Sequence, residues 1–78
     1  MELSLIRTEI EFGLTFAGIA ESAYLEGQLR RGDSARVVAR EAYAQAAKLV
    51  ENFTEGAEEL LQRLRELEAA LRSLEVAP

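Results

Sequence analysis

The last third of this chain sets an apolar residue at alternating steps of three and four: Ala57, Leu60, Leu64, Leu67, Leu71 and Leu74. That spacing lines up along one side of an α-helix. It lines up along no side of a strand, whose faces alternate at every second residue. The helical period persists upstream. There are only four Val and three Ile, with no sustained two-residue alternation. Thirteen Ala, twelve Leu, thirteen Glu and eight Arg supply more than half of the 78 residues, and all four types favour helix. Gly and polar clusters interrupt the pattern at Arg31-Gly32-Asp33-Ser34 and at Asn52-Phe53-Thr54-Glu55-Gly56. The expectation is an all-α fold in one domain over residues 1–78, with helices at roughly 3–30, 34–52 and 55–75. The short connections predict an antiparallel up-down-up three-helix bundle.

The first helix carries two apolar seams. Leu3, Ile6, Ile10, Ala17, Ala20 and Tyr24 form one; Leu5, Phe12, Phe16, Ile19 and Ala23 form the other. Two seams suit a helix with two neighbours. The second helix presents Ala35, Ala39, Ala42, Tyr43, Ala46, Val50 and Phe53. Small residues here and at Gly13 and Ala17 predict a close hairpin, tighter than the usual 8–10 Å axis separation. Tyr24, Tyr43 and Phe53 are expected to fill its wider parts. Asp33 or Ser34 is placed as the cap of the second helix, and Thr54 as the cap of the third. Glu59–Arg63 and Glu68–Arg72 are expected as i,i+4 pairs on the third helix.

These boundaries give helices of unequal length. The first spans about 42 Å and the others about 30 Å each, at about 1.5 Å per residue. Leu3, Leu5 and Ile6 would then overhang the bundle as an exposed apolar patch, the kind that marks a contact site. They are the candidate self-interaction residues, together with the outer edge of helix three.

Part of the chain resembles a known unit. Ile19-Ala20, Ala23-Tyr24 and Gly27, with Ala39, Tyr43 and Ala46 in the pattern A-x-x-x-Y-x-x-A, resemble a tetratricopeptide-type helical hairpin. The same stretch is similar to a group of small bacterial helical-hairpin proteins of unknown function. The third helix adds a likeness to three-helix microtubule-interacting-and-transport domains. The likeness covers about half of the chain. The predicted connection after Gly27 is longer than in the repeat, no Pro closes the second helix, and one hairpin stands where arrays stack about three. The resemblance implies hairpin geometry and protein–protein interaction, and no ligand residue is carried over.

Chemistry is sparse. The chain has no Cys and no His. Disulfides and thiolate metal sites are excluded, and with them the commonest general base and transition-metal ligand. Stability must then come from helix packing or self-association. The Ser and Thr hydroxyls have no evident base beside them, so no catalytic residue, metal ligand, cofactor or small-molecule substrate is expected. Arg30, Arg31, Arg36 and Arg40 gather around the first turn, with Asp33 the only acid from Gln28 to Arg40. They form a candidate anion-binding site for a phosphorylated or acidic ligand. The net charge of -5 opposes nucleic-acid binding. Arg31-Gly32-Asp33-Ser34 matches an adhesion tetrapeptide, and Asn52-Phe53-Thr54 a glycosylation sequon; both are read as helix punctuation. Glu2, Arg7, Glu9 and Glu11 interrupt the opening residues where a signal peptide is uniformly apolar. No membrane segment is predicted, and a cytoplasmic location is expected. The functional expectation is a non-enzymatic interaction or scaffold module. Its partner is another protein or a second copy of the chain.

Overall fold

The helical period is realised as three helices, α1 Leu3–Leu25, α2 Leu29–Val50 and α3 Glu58–Val76. The structure, a computed structural model, describes residues 3–53 and 56–76, and contains no strand among them. Tyr24 meets Gly32 at one end of α1 and Gly13 meets Ala42 at its middle, so α1 and α2 run antiparallel. Arg7 pairs with Glu59 and Glu11 with Arg63, so α3 runs parallel to α1. The bundle is up-down-up, with principal extents of 42 × 18 × 14 Å.

The core follows the small-residue reading. Ala17 and Ala20 of α1 and Ala35, Ala39, Ala42 and Ala46 of α2 are buried. Ile6 and Ile10 fill the end of α1 nearest the α2–α3 connection. Leu60, Leu64, Leu67, Leu71 and Leu74 close the bundle from α3. Tyr24, Tyr43 and Phe53 pack half-buried around this core. Each leucine removed from water contributes about 1.5–3 kcal/mol.

The first connection differs from expectation. The α1 helix ends at Leu25, and the turn is Glu26-Gly27-Gln28. Gly27 has φ +77, a left-handed conformation that a Cβ disfavours. The Gln28 N–H donates to the Ala23 carbonyl at 2.8 Å, and the Gly27 N–H to the Tyr24 carbonyl at 3.0 Å. These two bonds form a Schellman motif, which satisfies carbonyls that the last turn leaves free. Arg31-Gly32-Asp33-Ser34 therefore lies inside α2 and caps nothing. The residue before α2 is Gln28, which makes no side-chain cap bond. Gly32 has a steric role instead: a Cβ there would lie 2.5 Å from a Tyr24 ring carbon. Thr54 and Glu55, expected at the start of the third helix, lie outside the described residues.

The earlier turn also removes the length mismatch. With 23 and 22 residues, α1 and α2 match, and α2 reaches back along the whole of α1. Ile6, expected to overhang, is 0% exposed. Leu3 packs against the core, with its Cδ1 3.6 Å from where a Gly56 Cβ would stand. Among the three residues, Leu5 alone is exposed.

Candidate functional site

Position on α1 decides which apolar side chains stay uncovered. At about 100° per residue, Leu5, Phe12, Phe16, Ile19 and Ala23 share a stripe roughly a third of a turn from Ile10 and Ala17. The latter pair faces the core. Because Gly13 and the alanines let α2 and α3 approach on that one side, both neighbours are met there. A Cβ on Gly13 would touch Ala42 and Leu67 alike. The second seam is thus left without a helix of its own, which corrects the expectation that each seam serves one neighbour.

Along this stripe Leu5 is 60% and Phe12 47% exposed. The Phe12 ring lies on Phe16, with centroids 4.8 Å apart and planes at 45°, a tilted pair of the favourable kind. Phe16 and Ile19 lean half-buried against the core, and Ala23 is buried. Glu9, half-buried, falls between Leu5 and Phe12 on the same side. Leu25 and Leu29 flank the turn and are also exposed. Leu61, on the outer edge of α3, is only marginally so.

The arginines do not form one patch. Arg30 and Arg31 stand in the first turn of α2, with Arg36 about one and a half turns and Arg40 about two and a half turns beyond Arg31. Arg31 and Arg36 point about 140° apart. Arg31 lines a shallow groove of about 360 Å³ with Thr15, Gly18, Ile19 and Ser22. Arg40 lines another groove with Tyr43, Glu68, Leu71 and Arg72. The gathering expected around a single turn is absent because the turn lies upstream at Gly27, and the four residues are spread along a helix.

Three polar links join the helices. The Tyr24 hydroxyl donates to the Asp33 carboxylate at 2.5 Å. That bond, helped by partial desolvation and opposed by the nearby Arg36 charge, raises the phenol above its ordinary 10.0. On the α3 side, Arg63 bridges Glu11 and Glu66, and Arg7 binds Glu59. Glu59 and Arg63, expected as a pair within α3, thus each turn to α1. Glu68–Arg72 forms as expected at 3.3 Å.

No three acidic side chains converge into a metal-binding group among the described residues. No helix among them is long and apolar enough to cross a membrane. Leu5 and Phe12 leave the stripe of α1 open, as Leu25 and Leu29 leave the turn end. No protein-family model, no curated protein and no solved structure matches this chain.

Proposed function

We propose that the chain is a non-enzymatic interaction module whose working surface is the outer stripe of α1. Its mechanism is burial of apolar helix surface, with neighbouring charges selecting the partner. One observation carries the reading: Leu5 and Phe12 stand exposed in register with Phe16 and Ile19, on a helix whose other side is fully packed. A folded core of this size does not need those side chains outside, and removing them from water on contact yields about 25 cal/mol per Å². The likeness of the hairpin to tetratricopeptide-type units points the same way.

The test is affinity capture with the wild-type chain and with Phe12→Glu as baits. Circular dichroism of both confirms that the half-exposed substitution leaves the fold intact. The expected result is a bound protein, whether foreign or the chain itself, that the wild type retains and Phe12→Glu loses. Identical captures by the two baits would refute the reading.

A further inference from the structure

Resting on that reading, we infer that the occupant of the α1 stripe is a second copy of this chain, laid antiparallel along it. Leu5, Glu9, Phe12, Phe16, Ile19 and Ala23 follow alternating steps of four and three, the spacing of a helix seam that packs knobs into holes. They are also disposed symmetrically about Leu14. In an antiparallel pair crossing at that level, Phe12 of each copy faces Phe16 of the other. Leu5 faces Ala23, and Glu9 faces Ile19. The sizes agree with this register. Leu5 is exposed and Ala23 belongs to the lining of the shallow groove beside Ile19 and Ser22, so a large side chain meets a recess at both ends. The stacked aromatics meet in the middle.

Charge selects this arrangement over the parallel one. Glu9 lies near the start of the stripe, while Arg31 lines the groove beside Ile19 near its end. Antiparallel packing brings Glu9 of each copy toward Arg31 of the other, and two-fold symmetry forms that pair twice. Glu26 lines the same groove and starts at about the level of Arg31, since Tyr24 meets Gly32; the longer arginine side chain reaches further back toward Ile19. Parallel packing would instead set Glu9 against Glu9, a like-charge contact that disfavours the complex. One helix stripe falls in the small-interface class, so the dimer is a weak, reversible one.

Sedimentation velocity of the purified full chain, carried to about 1 mM, tests this at concentrations where weak association still registers. The expected result is a monomer–dimer equilibrium that Phe12→Glu abolishes. Glu9→Arg and Arg31→Glu should each weaken it about tenfold, because each disrupts two symmetric pairs. The double reversal, Glu9→Arg with Arg31→Glu, should recover the affinity of the wild type. Should Glu9→Arg melt early, Glu9→Gln replaces it, with a weakening of about threefold. A wild-type dimer indifferent to Phe12→Glu, or a double reversal weaker than either single one, would overturn the antiparallel copy. So would a monomer at all concentrations. If that monomer still retains a different protein through Phe12, the stripe is an interaction surface with a foreign partner. If it retains none, the interaction reading falls as well.

Discussion

The two interfaces of the bundle are built on opposite plans. Beyond Ile6, Ile10 and Val50 at one end, the buried residues of α1 and α2 are alanines and glycines, from Gly13, Ala17 and Ala20 to Ala35, Ala39, Ala42 and Ala46. Where α3 joins, they are leucines, from Leu60 to Leu74. Alanines bury little area each, so the hairpin depends on close approach and dense contact between backbones. Leucines bury much area, and α3 depends on the hydrophobic term. The contrast teaches that the hairpin is sensitive to added volume and α3 to lost volume. Gly13 is where the two plans meet, since its missing Cβ leaves room for both Ala42 and Leu67.

The largest effects break the contrast directly. Leu67 is 0% exposed, and Leu67→Ala should cost about 2–5 kcal/mol through lost transfer energy and a residual cavity. Ala42→Leu, on the other plan, should cost about 1–3 kcal/mol by overpacking. Denaturant melts of the two variants check both values. Near-neutral Ala42→Leu would show that the hairpin is not close-packed.

A smaller effect sharpens the role of Gly13. Gly18→Ala should stabilise the chain by up to about 1 kcal/mol through helix propensity, since an added Cβ there meets nothing within 4 Å. Gly13→Ala should gain less or lose, because its Cβ would lie 2.7 Å from a Leu67 methyl and 3.1 Å from the Ala42 Cβ. Equal gains at the two sites, measured as thermal midpoints, would remove Gly13 from the junction.

The smallest effect concerns the turn end of the hairpin, where a hydrogen bond replaces alanine contact. Tyr24 ionises above 10.0 because its neutral phenol donates to Asp33. The contribution of this bond to stability is fully present below the unfolded tyrosine value near 10. It is lost as pH rises through the elevated folded value. Ultraviolet titration should show one late-ionising phenol in the wild type, and Asp33→Ala should move it down. An unchanged curve in Asp33→Ala would detach Tyr24 from this bond.

Much of the fold was legible in the order of residues. The alanine face of α2 and the leucine steps of α3 are local periodicities, and each was found buried where its period puts it. The first turn was misplaced because two glycines competed for it. Gly32 sits among charged residues that look like a turn, whereas Gly27 supplies the left-handed backbone that ends α1. With the turn at Gly27, α1 and α2 are matched in length, Ile6 is buried, and Arg30, Arg31, Arg36 and Arg40 lie along α2. Of the contact site expected at Leu3, Leu5 and Ile6, only Leu5 stays outside. Phe12, Phe16 and Ile19 extend it along the second seam of α1.

The sequence by itself determined that the chain is three amphipathic helices with small residues on one pair and leucines on the third. Those properties follow from the helical period and the volume of each side chain, which act between residues a turn apart. The tertiary structure decided which seam of α1 is covered, and that Arg63 reaches Glu11 instead of Glu59. Such choices depend on how whole helices are rotated and aligned against one another, which the period of a single helix does not encode.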